Sequence, residues 1–365
     1  MTITLFIIAF VISAILSLVF IKLGARGLFL DEAKGVQKHH HKITPRIGGI
    51  AIFMGIFCGG LYLLGKGFAQ INFWLVIVGL LPIFCGGVIE DYTRKTSPIF
   101  RLLLALISTA IVFFVLDVQL RSVRIPWIDI ALTYTLVSFL FTLFAVSGLT
   151  NSINIIDGYN GLSGMVSLFI LSALLCIALK FHDFFLINIC VLSIGAIVGF
   201  LIWNYPHGLI FLGDSGAYLI GFVIATISIM LVNNHSEVSP WFPLLLCIYP
   251  VWETVFSMFR RKFIQKKSMM DADALHLHTL IYKRILRGNA YECDVTQATL
   301  RNSMTSVYSW MLCLLTIIPA VVFWNQTLIL GLFALLFICF YLWLYSRIIK
   351  FKTPRFLIIN RDREK

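Results

Sequence analysis

The feature that most limits this chain is a series of apolar runs, each about twenty residues long, recurring from one end to the other. A bilayer core takes about 20 apolar residues per helix, with a range of roughly 17–25. On that rule the sequence predicts spans near 2–23, 47–65, 72–90, 102–117, 128–148, 164–180, 184–203, 215–233, 241–259, 304–324 and 328–347. Lipid gives backbone groups no hydrogen-bond partner, so these runs must be helices. The expected fold class is all-α: a polytopic integral membrane protein of about eleven transmembrane helices, forming one domain over 1–365. Composition points the same way. The chain is 59% hydrophobic and 13% charged, against about 25% charged in a soluble domain, so it cannot cover a water-facing surface. The first run has no basic residue before Lys22. A secretory signal opens on a basic n-region, so this run is read as a retained span.

Charge sets the topology. Of the 29 Lys and Arg residues, 25 fall in alternate loops and the C-terminal tail, leaving Lys66, Arg121, Arg124 and Lys180 on the other side. Cytoplasmic loops carry the excess of Lys and Arg, so the N-terminus is expected outside and the C-terminus inside. The cytoplasmic loops then lie near 24–46, 90–101, 149–163, 204–214 and 260–303, with a basic tail over 348–365. The net charge of +12 does not point to nucleic acid, because the basic residues sit between apolar runs instead of forming a stripe. The expected partner surface is the lipid bilayer. Seven of the eight cysteines fall in or beside apolar stretches, Cys293 alone lying in a polar segment. Their spacing fits neither a disulfide framework nor a zinc site.

On this topology three separate runs place acids at one membrane face. Glu90 and Asp91 close the third span, Asp157 follows the fifth within Asn154-Ile-Ile-Asp157-Gly, and Asp214 precedes the eighth within Phe211-Leu-Gly-Asp214-Ser-Gly. Ionisable groups at membrane depth are costly and mark function by default. Adjacent carboxylates with a third from elsewhere in the chain make a hard-oxygen site suited to Mg²⁺, which is held by one or two carboxylates plus substrate phosphates; Mn²⁺ is an alternative. The long polar loop adds Asp271, Asp273, His276 and His278, and the first loop adds His39, His40 and His41. Alone, a His pair or a DxD spacing in a basic loop is more often plain surface.

The ordered motifs resemble the polyprenyl-phosphate N-acetylhexosamine-1-phosphate transferases. They are Thr44-Pro-Arg46-Ile-Gly48-Gly49, Glu90-Asp91, Asn154-Ile-Ile-Asp157-Gly, Asn204-Tyr-Pro-His-Gly-Leu-Ile-Phe-Leu-Gly-Asp214-Ser-Gly and Asp273-Ala-Leu-His276-Leu-His278, spread over about residues 24–287. The resemblance is nearer the branch that starts O-antigen and related surface glycans than the peptidoglycan branch. It implies phosphosugar transfer from a UDP-N-acetylhexosamine to a polyprenyl phosphate such as undecaprenyl phosphate. UMP would be released at the cytoplasmic face of a bacterial inner membrane. By resemblance Asp91 and Asp214 hold or orient the metal, with Glu90 assisting it or acting on the lipid phosphate. Asn154, Asp157, Asn160 and Asn204 shape the nucleotide-sugar pocket, and His276 and His278 contact the sugar nucleotide or its phosphates. Lys38, Lys42 and Arg46 are phosphate contacts.

The chain departs from the family pattern at Glu90, where Asp is usual, at Asn160 in place of a second Asp, and at Thr279 in place of a further His. Each change keeps a group able to hydrogen-bond, which fits a sub-branch with a different sugar. Glu253, in the ninth span, is equally well read as a buried helix contact or a site residue. Competing readings are a transporter or flippase with ion-coupling acids, a silent scaffold of the same fold, and the phospho-muramoyl-pentapeptide transferase of peptidoglycan synthesis. Transporters place such charges near the midplane within repeated halves, and no internal repeat is visible here. A homodimer is compatible with the sequence, since lipid-facing and subunit-facing surfaces look alike.

Overall fold

The computed structural model describes residues 1–24, 30–31, 44–67, 71–266, 273, 275–286 and 295–352. Lys38, Lys42, the His39–His41 triplet, Asp271 and Cys293 lie outside the described residues, as does the tail from 353. Among the described residues ten helices are long and apolar enough to cross a membrane. They begin with α1 (Thr2–Gly24), α2 (Gly48–Gly65), α3 (Ile71–Thr93) and α4 (Pro98–Leu116). After the short α5 (Pro126–Leu132) come α6 (Thr135–Ile155), α7 (Leu162–Lys180), α8 (Phe184–Asn204) and α9 (Gly213–Asn234). Three short helices, α10 (Trp241–Leu246), α11 (Ile248–Phe259) and α12 (Leu277–Leu280), precede α13 (Val295–Val322) and α14 (Thr327–Ile349). The strands are two-residue pieces, β1 (Leu30–Asp31) antiparallel to β2 (Thr44–Pro45).

Eleven continuous spans were expected and ten are found, because the ninth run is broken. Pro250 has no N–H to give the Leu246 carbonyl, and its ring crowds that carbonyl. The helix therefore stops at Leu246 and restarts at Ile248 around Cys247. The two pieces still traverse the protein together. Trp241, opening α10, donates its indole N–H to the Val123 carbonyl at 3.0 Å, at the end opposite the acids. Past α11, a π-helical turn over Arg260–Ile264 places Arg260 on Asp273 at the acid-bearing end. A second shift affects the expected 128–148 span. The Thr133 hydroxyl bonds back to the Ile130 carbonyl at 2.7 Å, a local bond that competes with the helical ladder. The helix restarts at Thr135 and runs to Ile155, so Asn151 and Asn154 ride on its last turns.

α9 is the hub, with every residue from Gly213 to Leu231 buried. It packs against α2, α3 and α6, while α1 lies along α8. The approach of α2 to α9 is so close that a Cβ on Gly49 would sit 2.2 Å from the Gly216 nitrogen. Small residues at such crossings let backbones meet where lipid offers no hydrophobic drive between helices. In α3, Pro82 interrupts the ladder, and the next amide, Ile83, donates instead to the Ser108 hydroxyl of α4 at 3.0 Å. This packing brings the end of α3, the start of α4, the end of α6 and the start of α9 to one end of the bundle.

Candidate active site

The start of α9 organises the site. Asp91, at the end of α3, is 4% exposed. One carboxylate oxygen accepts the Asp214 amide at 2.7 Å, and the other accepts the Ser215 amide at 2.9 Å and the Ser215 hydroxyl at 2.6 Å. These are the unpaired N–H groups of a helix first turn, so Asp91 caps α9 from a neighbouring helix. Gly213 makes this possible. Its φ is +77°, and a Cβ there would lie 2.6 Å from the Asp91 carboxylate.

Asp214 is thereby fixed with its carboxylate facing two guanidinium groups, Arg46 on one oxygen and Arg101 on the other. Arg46 also lies 3.5 Å from Asp91. It is delivered by a backbone seam in which Phe211 donates to the Pro45 carbonyl at 2.8 Å and Gly49 to the Leu212 carbonyl at 2.9 Å. Tyr218, one turn along α9 from Asp214, receives the Asn154 amide at 3.1 Å. One oxygen of Glu90 accepts the amide and hydroxyl of Thr96 at 2.9 and 2.6 Å, closing the α3–α4 turn.

Asp157 follows α6, half-buried. Burial pushes its carboxyl up to about 7; Arg46 opposes the rise, and Asp214 and Asp91 add to it. Asn160 and Asn204 hold the loops around it. Asn160 takes its backbone partner from Asn302, at 2.8 Å, and donates its side-chain amide to the Pro206 carbonyl at 3.0 Å. Asn204 accepts from Gly161 at 2.6 Å and donates to the Ile210 carbonyl at 2.7 Å. On the facing side, His276 and His278 stack with centroids 5.1 Å apart, and His278 meets Tyr159 edge-on at 5.5 Å. His276 Nδ1 lies 3.0 Å from Glu253, a carboxylate 1% exposed.

A cavity of about 1650 Å³ joins these groups. Arg46, Arg101, Asp157, Asp214, His276 and His278 line its polar end, with Asn154, Asn160 and Asn204 beside them. From there it runs along the bundle past Leu102, Leu106, Phe141, Phe144, Val255 and Met258, and reaches Trp241 near the opposite end. Neither Glu90 nor Asp91 is part of its wall. Among the described residues no three His, Cys, Asp or Glu side chains converge as a ready metal cage. Mg²⁺ does not need one, since substrate phosphates commonly complete its shell. Asp157 and Asp214 line the cavity and fit that role, Asp214 once Arg46 and Arg101 turn from its oxygens to phosphate, whereas Asp91's oxygens accept the backbone of α9.

The structure thus gathers Arg46, Asp157, Asp214, Asn154, His276 and His278 at one end of one cavity, with Asp91 behind Asp214 and Glu90 bound to Thr96, both outside the wall. Sequence reasoning used Arg101 only to count charge. Its signal was faint: one Arg in the first turn of α4, just beyond an acidic pair.

Residues 73–232 match the family model described as glycosyl transferase family 4. A probable undecaprenyl-phosphate N-acetylglucosaminyl 1-phosphate transferase of Bacillus subtilis is 27% identical over 270 residues, covering 73% of this chain and 72% of that protein. An undecaprenyl-phosphate alpha-N-acetylglucosaminyl 1-phosphate transferase of Thermotoga maritima is 28% identical over 280 residues, covering 76% and 80%. A phospho-N-acetylmuramoyl-pentapeptide-transferase of Staphylococcus carnosus is 27% identical over 253 residues, covering 64% and 76%. These likenesses agree with the motif reading: the chain is similar to proteins named as undecaprenyl-phosphate N-acetylglucosaminyl 1-phosphate transferases, and its residues 73–232 match the glycosyl transferase family 4 pattern.

Proposed function

We propose that this protein transfers N-acetylhexosamine 1-phosphate from a UDP-sugar to a polyprenyl phosphate, releasing UMP, at the cytoplasmic face of a bacterial inner membrane. The observation that carries this reading is the single cavity with a charged end and a long apolar wall. A water-soluble diphosphate and a lipid phosphate can meet there, with the isoprenoid tail lying along α4, α6 and α11. Such a product would begin a lipid-linked surface polysaccharide.

In this reaction an oxygen of the lipid phosphate attacks the β-phosphorus of the UDP-sugar. The bond from that phosphorus to the bridging oxygen breaks, and UMP leaves with the oxygen. Phosphoryl transfer asks for positioning and charge neutralisation more than covalent chemistry. Arg46 and Arg101 now grip Asp214, and planar guanidinium groups match phosphate oxygens equally well. They would hold the two phosphates in line once substrate enters. Asp214 and Asp157 are the residues that would hold Mg²⁺, which supplies charge neutralisation of the diphosphate when bound. His276, oriented by Glu253, would accept a hydrogen bond from the sugar nucleotide at Nε2. Asn160 and Asn204 keep the pocket loops in place.

N-acetylglucosamine is the favoured sugar. It is the sugar for which the Bacillus subtilis and Thermotoga maritima relatives are named. A transporter reading asks for charges near the midplane, and here they sit at the bundle's end. Purified protein in nanodiscs, given undecaprenyl phosphate, Mg²⁺ and one UDP-N-acetylhexosamine at a time, should release UMP only when lipid and metal are both present. Silence across the donors, with an active transferase alongside, would overturn the proposal.

A further inference from the structure

The last helix, α14, lies outside the segment matched by the family model and takes no part in the cavity wall. Two of its tyrosines, Tyr341 and Tyr345, sit one turn apart with rings nearly parallel, 12° between planes. Each reaches a carboxylate-bearing element beside His276. The Tyr341 hydroxyl donates to Glu253 Oε2 at 2.8 Å. The Tyr345 hydroxyl receives Arg260, which in turn holds Asp273, and donates to the Leu275 carbonyl at 3.3 Å.

Glu253 collects donors on both oxygens. Oε2 accepts from Tyr341, and Oε1 accepts the Leu277 amide at 3.1 Å while facing His276 Nδ1 at 3.0 Å. Tyr341 and Glu253 are 0% and 1% exposed. A carboxylate buried this deeply must have its acceptor positions filled. With two of its partners already N–H and O–H donors, its match to the imidazole is a third donor, Nδ1–H. The proton on Nδ1 is thus assigned by the network, and the ring's other nitrogen, Nε2, is left beside the cavity-lining Asp273, 3.8 Å away. Which nitrogen of a histidine works is set by the bond the other one makes.

We propose that Tyr341 is a positioning residue of the active site, acting through Glu253 to hold His276 in the Nδ1–H form with Nε2 toward the cavity. The assignment rests on the proposed role of His276 at the sugar nucleotide. Neither Tyr341 nor Glu253 touches the cavity, so their effect on substrate passes through the His276 imidazole and the Leu277 amide that share the same carboxylate oxygen. A phenylalanine at 341 keeps the ring contacts with Phe256 and Phe337 and removes only the hydroxyl. One Glu253 oxygen then lacks its donor, and the carboxylate is free to rotate away from Nδ1.

The experiment uses full-length protein with isotope-labelled histidine in nanodiscs, the His276 signal being assigned by its loss in His276→Gln. The wild type should show one Nδ1–H tautomer. Tyr341→Phe should show a mixture of tautomers and a kcat lower by roughly tenfold, the scale on which outer partners of a site residue act. Its KM for the UDP-sugar should stay within about twofold, as expected when the lost interaction matters mainly in the transition state. Glu253→Met, which keeps much of the volume but removes the acceptor facing Nδ1, should show the same mixture of tautomers, and it gives the same reading if the phenylalanine variant does not fold. A wild-type tautomer in both variants would overturn the proposal, as would a Tyr341→Phe protein that melts earlier yet keeps its tautomer and kcat. If the wild type transfers no phosphosugar, the functional reading fails, but the tautomer measurement on the substrate-free protein still decides this one.

Discussion

Asp91 accepts three hydrogen bonds from the first turn of α9, whereas Asp214 faces two arginines across the cavity. Removing either negative charge should therefore have different consequences. In Asp91→Asn one carboxylate oxygen becomes an NH₂ facing N–H or O–H donors. The fold should lose about 1–3 kcal/mol, the cost of unsatisfied buried partners, and activity should fall with it. In Asp214→Asn the partly exposed arginines can turn to water, so the melting temperature should barely move. Transfer should drop by roughly a hundredfold or more, as when a charged site group is removed. Thermal melts in detergent, read beside UMP release, separate the two. Asp157 yields a pH prediction. Burial raises its carboxyl to about 7, so the folded state holds that proton at pH values where an unfolded chain has released it. The associated stability is fully present below the ordinary carboxylate range and is lost as pH rises through about 7. In metal-free buffer Asp157→Asn should therefore melt higher than the wild type at pH 8, with a smaller gain at pH 5.

The break between α10 and α11 has a single chemical origin in Pro250, and the cavity wall uses residues on both sides of it, among them Pro243, Val251 and Val255. Pro250→Ala restores a donor for the Leu246 carbonyl and should draw the two pieces into one helix. The expected kinetic result is a several-fold higher KM for polyprenyl phosphate with an unchanged KM for the UDP-sugar. An unchanged lipid KM would separate the break from acceptor binding. This break also shows where sequence reading ran short. The 241–259 run is apolar enough to predict a span, and Pro250 within it was the visible cue to its interruption. The restart at Thr135 was less legible, because a threonine bonding back to its own helix looks in sequence like any other polar residue in an apolar run.

Across the whole molecule, the apolar runs predicted an all-helical membrane bundle, and the bundle is what is found. One-sided placement of acids predicted that Asp91, Asp157 and Asp214 gather at one end of the bundle, as they do, because span ends are legible from hydropathy alone. Which acid does what was not legible. Asp91 and Glu90 are neighbours in sequence yet point to α9 and to Thr96 respectively, a difference set by helix phase and by contacts over a hundred residues apart in the chain. For the same reason Asn160 could be placed near a nucleotide but not tied to Asn302, and Glu253 could be read as a helix contact or a site residue but not joined to His276 and Tyr341.

If one cavity brings a sugar nucleotide and a lipid phosphate together, phosphorus, and not the sugar alone, changes hands. The most direct test is to supply UDP-N-acetylglucosamine radiolabelled at the β-phosphorus to the protein in nanodiscs with undecaprenyl phosphate and Mg²⁺. The label should pass into the organic-soluble lipid while unlabelled UMP appears in the aqueous phase. Label that stays in water as UDP while the sugar reaches the lipid, or no transfer with any N-acetylhexosamine donor, would contradict the account.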